Sequence, residues 1–303
     1  MTEEPQPVWH VPEPISIHDV TVDETTIIRV RRHGNPDGPR LVMCHGNGLA
    51  IDLYYPLWSN LLDDYDLIIY DLRNHGWNPV GDIRNHNLPT FMRDYEQVLE
   101  SIREEYGDKP TFGVFHSISA LVALLAPTKG SGLSGLYLFD PPTCKPGVGY
   151  EEFEVAATRA ANLTRTRTER YKTRSEFAGV LPYMPTFKNV IPGIANLVAE
   201  TTLGESVDGE GFVLRCPREY EAQVVEYAGV YAVSINFDSM VCPVRVLGAD
   251  PTLPYSYLPT MDLSDILSID YDFMPEATHF MIFERPEECA ASVREYIQSL
   301  TPT

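Results

Sequence analysis

Short, continuous apolar runs alternate with amphipathic stretches over the first half of the chain. Residues 41–44 (Leu-Val-Met-Cys), 67–70, 111–115 and 136–139 are mostly apolar without a break, as strands buried on both faces of a parallel sheet must be. Ahead of them, residues 15–20 and 26–32 read as two strands, the second alternating Ile28 and Val30 with polar neighbours. Asn35-Pro36-Asp37-Gly38 is a turn cluster. Between the runs, apolar residues recur at helical spacing: Leu53, Tyr54, Leu57, Trp58 and Leu61, then Phe91, Tyr95, Val98, Leu99 and Ile102, then Leu121, Val122, Leu124 and Leu125. Thr90 is the N-cap the pattern predicts for the second of these helices. Such regular alternation predicts an α/β fold with a mostly parallel, doubly wound sheet. The alternation stops at Asp140-Pro141-Pro142 and resumes in residues 243–247 and 269–273. A last helix follows Arg285-Pro286-Glu287-Glu288, with proline and two acids suited to a first turn. The predicted organisation is a core of residues 1–141 and 237–303 with a mainly helical cap, 142–236, inserted between two strands. Residues 1–14 read as a flexible lead-in. In the cap, Thr173-x-x-Glu176 reads as a capping box.

Composition narrows the functional classes. A chain of 303 residues, 44% of them hydrophobic, is long enough to bury a large core and carry a cap. The net charge of −20 repels nucleic acids and anionic membranes, so neither is an expected partner. No run approaches the ~18 apolar residues of a membrane span, and the acidic, Pro-rich start lacks the basic and apolar regions of a signal peptide. Five scattered cysteines, Cys44, Cys144, Cys216, Cys242 and Cys289, form no CxxC pair and read as reduced thiols of a cytoplasmic protein. No HExxH, Walker or GxGxxG sequence follows the expected strands, so no metal and no cofactor is expected and side chains carry the chemistry. A small molecule is the expected partner; the oligomeric state is left open.

Four segments at expected strand ends supply that chemistry. Phe115-His116-Ser117-Ile118-Ser119 runs from strand into helix and offers Ser117 as nucleophile. Small residues are ordinarily required two positions before and after such a serine, because strand and helix nearly touch. Ser119 meets this and Phe115 does not. The competing reading of Ser117 is a plain helix cap. Ala277-Thr278-His279-Phe280 offers His279 as the base that takes the seryl proton and returns it to the leaving group. Gly248-Ala249-Asp250 offers Asp250 as the acid that orients the imidazole. Asp140, at the end of the strand before the cap, is the alternative acid, with Asp262 and Asp265 farther from any strand end. His45-Gly46-Asn47-Gly48 is either a tight turn or an oxyanion hole, with the N–H groups of Asn47 and Ile118 as its donors. Asp71-Leu72-Arg73-Asn74-His75-Gly76 reads as a polar brace beside the site. Arg159, Arg165, Arg167, Arg170, Lys172 and Arg174 in the cap are either a solvated helix face or a receptor for an acidic substrate group.

HGNG, DLRNHG, FHSIS and EATHF, each at its strand end and in this order, resemble the α/β-hydrolase superfamily over nearly the whole chain beyond residue 14. The cap, with Cys216-Pro217-Arg218-Glu219-Tyr220-Glu221-Ala222, is similar to that of capped esterase-like hydrolases. The resemblance implies a serine hydrolase cleaving a small to medium carboxylic ester through an acyl-enzyme. On it, Ser117 matches the nucleophile, His279 the base, Asp250 the acid, and Asn47 with Ile118 the oxyanion donors. The same triad also serves C–C bond and lactone hydrolysis, and a ligand-binding protein of little turnover can retain it.

Overall fold

A computed structural model describes residues 8–143, 150–253 and 263–301. Cys144 and Asp262 lie outside these, as do the first seven residues of the lead-in. The chain runs β1 (Ser16–Asp23), β2 (Thr26–Gly34), β3 (Arg40–Cys44), α1 (Tyr55–Trp58), β4 (Asp66–Tyr70), α2 (Leu88–Tyr106), β5 (Thr111–His116), α3 (Ile118–Leu125) and β6 (Gly135–Phe139). The inserted segment holds α4 (Tyr150–Thr166), β7 (Arg170–Tyr171), α5 (Arg174–Val180), α6 (Ile194–Thr202), β8 (Leu203–Glu205), β9 (Phe212–Leu214) and α7 (Arg218–Tyr231). The core then resumes with β10 (Val244–Gly248), β11 (Asp270–Phe273), α8 (Met281–Glu284) and α9 (Pro286–Leu300).

The main sheet has the order β1-β2-β4-β3-β5-β6-β10-β11. Only β2 runs against its neighbours; all pairings from β4 to β11 are parallel. The fully buried strands β3, β4 and β6 are the continuous apolar runs of the sequence. From β3 the chain steps to β4 on one side, then crosses back to β5 on the other. This reversal opens a crevice beyond the carboxyl ends of β3 and β5, the place where open α/β sheets bind ligands. The register sets Cys44 opposite Phe115 there, so the loops after both strands leave the sheet side by side.

One apolar layer packs α2 and α3, with α4 and α7 of the cap, on one face of the sheet. The other packs α1, α8 and α9, with α5 and α6, on the opposite face. The cap thus contributes to both layers. Within it α4 and α7 approach closely: a Cβ on Gly229 would lie 3.1 Å from that of Ala157.

Four local expectations change. Helix α2 begins two residues before Thr90, with Pro89 in its first turn, and its N-cap is Asn87, whose Oδ1 accepts from Thr90 N–H at 3.0 Å. Residues 51–61 form α1 between two short 3-10 turns rather than one helix. The cap is mainly helical but carries a small antiparallel sheet, β7-β9-β8, whose two- and three-residue strands are too short to show alternation. In the described part of the lead-in Trp9 is anchored: its Nε1 donates to Pro192 C=O at 3.1 Å, and its ring meets Tyr55 edge-on. The Thr173 capping box is present, with Oγ1 accepting from Glu176 N–H at 3.0 Å. No described helix is long and apolar enough to cross a membrane.

Candidate active site

Ser117 occupies the turn between β5 and α3 with φ +56 and ψ −120, a strained conformation for a side-chain-bearing residue. Three contacts hold it there. Ser117 N–H donates to Phe139 C=O at 2.9 Å, tying the turn to β6. The Ser119 hydroxyl hydrogen lies between the carbonyls of Cys44 (3.0 Å) and His116 (2.9 Å), and its oxygen accepts from His116 N–H at 3.1 Å. Gly46 provides the clearance, since a Cβ there would sit 3.0 Å from His116 Nδ1 and 3.1 Å from Ser117 Cβ. Phe115, the residue out of keeping with such a turn, fits because of Gly113. The two share a face of β5, and the Phe115 ring lies 2.5 Å from where a Gly113 Cβ would be, meeting Tyr95 edge-on at 5.5 Å. Gly113 was the unread signal.

His279 Nε2 lies 3.0 Å from Ser117 Oγ, and His279 Nδ1 lies 2.5 Å from Asp140 Oδ2. The Asp140 carboxylate is fully buried and its other oxygen accepts from Ala249 N–H at 3.0 Å. The residue follows β6 with φ +39, another strained backbone position. Asp250, the acid the sequence favours, does not fill that place. Its carboxylate accepts from Thr252 N–H (2.8 Å), Thr252 Oγ1 (2.7 Å) and Glu276 N–H (2.8 Å). These bonds hold its ionised form and lower its pKa. Asp250 thus fastens the loop after β10 to the loop that carries His279. The parallel β6–β10 pairing explains the exchange: Ala249, the residue after β10, supplies a backbone N–H to Asp140, and no carboxylate from this loop reaches His279 among the described residues. Asp265 lies in a turn and is exposed.

Among the described residues, neither Asn47 N–H nor Ile118 N–H has an acceptor. They flank Ser117, one in the loop packed on the turn and one at the first residue of α3. The loop is rigidly held. Gly48 N–H donates to His75 Nε2 at 3.0 Å, Leu72 N–H donates to His45 Nε2 at 3.1 Å, and Ile51 N–H donates to Asp71 Oδ1 at 2.8 Å. Burial pushes the pKa of His45 and of His75 down to about 3, so both rings are neutral acceptors. His45 is therefore no ion-pair partner for Asp71, despite 3.4 Å between them. Asp71 is balanced instead by Arg31, which bonds it at 2.8 Å and Asp52 at 2.5 Å. From the cap, Glu221 C=O accepts from Asn47 Nδ2 at 2.8 Å. Glu221 also pairs with Arg167, and its carboxylate rests on Gly48, where φ is +72 and no Cβ fits. The sequence places Glu221 in the segment that resembles capped hydrolases but does not foretell this contact with the loop after β3.

His75, His86 and Cys216 bring three potential metal ligands within 4.8 Å of one another, all buried. Their hydrogen bonds argue against that use. His75 Nε2 is occupied by Gly48 N–H. Asn74 Nδ2 donates to His86 Nδ1 at 2.8 Å while Gly81 N–H fixes Asn74 Oδ1 at 2.6 Å, which puts the His86 proton on Nε2. Burial raises the Cys216 thiol pKa well above its ordinary value. Of the imidazole nitrogens, only His86 Nε2 lacks a hydrogen-bond partner, and in this arrangement it carries a proton, so the three groups as arranged do not present deprotonated ligands.

Residues 41–292 match the model of the alpha/beta hydrolase family, and the chain belongs to that family. No curated protein matches the chain in sequence. Among solved structures it is similar to an E-2-(acetamidomethylene)succinate hydrolase, with 17% identity and a TM-score of 0.73 over 93% of this chain and 99% of that one. It is also similar to a malate-bound thermophilic esterase from Thermogutta terrifontis, with 17% identity and a TM-score of 0.65 over 95% and 100% of the two chains. An N-formylmaleamic acid deformylase from Pseudomonas putida is similar at 16% identity, with a TM-score of 0.59 over 92% and 100%. At such identities the likeness extends to the fold.

Proposed function

We propose that the protein is a serine hydrolase that cleaves small to medium carboxylic esters through an acyl-enzyme, with Ser117, His279 and Asp140 as its triad. The observation that carries the reading is the continuous line from Ser117 Oγ to His279 Nε2 (3.0 Å) and from His279 Nδ1 to Asp140 Oδ2 (2.5 Å). His279 removes the seryl proton as Oγ attacks the ester carbonyl. Asp140 holds the imidazole in the tautomer with a proton on Nδ1 and stabilises the imidazolium that forms. The N–H groups of Asn47 and Ile118 receive the oxyanion. His279 then protonates the departing alcohol, and water repeats the sequence on the acyl-enzyme.

The cap sets what reaches this site. Ser117 is 3% exposed and His279 4%, and burial of this kind strengthens each electrostatic contact they make. The cap arginines give little support to an acidic-substrate receptor. Arg165 pairs with Glu219 and Glu226, Arg167 with Glu221, and Arg170 with Asp208, while Arg174 lies over the Phe212 ring. Similar folds include an esterase and a deformylase, names that both denote transfer of an acyl group to water.

The test is Ser117→Ala assayed on p-nitrophenyl esters from acetate to octanoate. Hydrolysis should fall about 10³-fold or more with an unchanged melting temperature. Retention of more than about a tenth of wild-type turnover, against losses of that size in triads, would remove Ser117 as the nucleophile.

A further inference from the structure

Beneath the triad, three buried hydrogen bonds join the oxyanion loop to the loop of the base. Gly46 N–H donates to Tyr54 Oη at 2.8 Å, Tyr54 and His116 Nδ1 are 2.6 Å apart, and His116 Nε2 lies 3.0 Å from His279 C=O. Their direction is determined. A carbonyl only accepts, so His116 carries its proton on Nε2. Its Nδ1 then accepts, and Tyr54, already accepting from Gly46, donates to it. Burial keeps the His116 ring neutral, as this arrangement requires. Tyr54 and His116 are each 1% exposed. The Tyr54 ring is pinned edge-on against Phe283 with centroids 5.1 Å apart, and the His116 and His279 rings are 4.7 Å apart.

We infer that Tyr54 and His116 are positioning residues, a bridge that keeps the Asn47 donor and the His279 imidazole in register across Ser117. The inference rests on the triad reading above. Gly46 directly precedes Asn47, so a bond to its N–H fixes the peptide immediately before the one from which the oxyanion donor projects. The bond to His279 C=O fixes the backbone from which the imidazole reaches both Ser117 and Asp140. The two ends of the reacting carbonyl, the attacked carbon and the oxygen, are thereby referred to one rigid pair of rings. Neither residue acts on the substrate directly; each acts through the residue it bonds.

Tyr54→Phe keeps the ring and its packing on Phe283 and removes only the hydroxyl. The rate of Ser117 labelling by a fluorophosphonate, and kcat on a p-nitrophenyl ester, should each fall about 10- to 100-fold, the scale of an ångström-sized misplacement, with KM changed less than about threefold. His116→Leu should fall equally, and Tyr54→Phe/His116→Leu should be no worse than either alone, since one bridge is broken once. His116→Gln, which keeps a donor for the His279 carbonyl, should retain more activity than His116→Leu. Labelling of Tyr54→Phe within about twofold of wild type, additive losses in the double variant, or equal loss in His116→Gln and His116→Leu would each overturn the bridge. Undiminished labelling of Ser117→Ala would instead overturn the triad reading itself.

Discussion

At the residue scale the decisive question is which carboxylate faces His279. Both Asp140 and Asp250 follow a strand of the sheet, and a one-dimensional reading ranks them by the habits of the fold alone. Their surroundings differ in three dimensions. Asp140 is sealed from water and points one oxygen at a backbone N–H and the other at the imidazole, whereas Asp250 caps its own loop. Asp140→Asn should lower kcat by about 10³- to 10⁴-fold, because the amide no longer favours the productive imidazole tautomer. Asp250→Asn should leave kcat within about tenfold and appear mainly as a lower melting temperature, since its role is to tie two loops. Steady-state kinetics on the two variants decide this; the reverse ranking would return the acid to Asp250. Ser117 and His279 could be read as candidates because a strand end and a reactive residue coincide in the sequence. Which carboxylate faces His279 could not, because two adjacent parallel strands are each followed by a suitable aspartate.

At the element scale, β5 and its turn show how a departure from pattern is absorbed. Phe115 looked too large for the turn, and the sequence alone offered no place for its ring. The place lies two residues back, along the strand, over Gly113. Gly113→Ala should therefore destabilise the protein by about 1–3 kcal/mol, the cost of overpacking a filled core. Phe115→Leu, added to it, should recover part of that loss, a coupling that a urea-melt double-mutant cycle measures directly. Fully additive effects would mean that the two side chains do not compete for one space. The long apolar runs gave β3, β4 and β6 away because full burial leaves no polar position in them. The three small cap strands left no such trace, since a strand of two or three residues has no period. The N-cap of α2 lies three residues before the Thr90 that the pattern predicts, because Asn87 and Thr90 are both capping residues and Pro89, in the first turn, favours the earlier start.

At the scale of the whole molecule, the polar groups that hold the site in place make stability depend on pH. Burial lowers the pKa of His45 and His75 to about 3 and that of His33, beside Arg31, to about 4. In the unfolded chain the same rings titrate near 6.5. Between these values the unfolded state binds more protons than the folded state, so stability falls as pH drops below about 6.5. At pH 5 the loss is about 2 kcal/mol for each ring, a large part of the 5–15 kcal/mol that typical domains possess. Urea midpoints should therefore drop steeply between pH 7 and pH 5; a flat profile would mean that these rings are solvated. The inserted segment contributes to both apolar layers, and the proposed function places the reactive hydroxyl at Ser117. The most direct measurement is peptide mapping by mass spectrometry after stoichiometric reaction with a fluorophosphonate. A single adduct on Ser117, formed quickly by the wild type and lost in His279→Ala, is the result predicted. An adduct on another residue, or undiminished labelling without His279, would contradict the account.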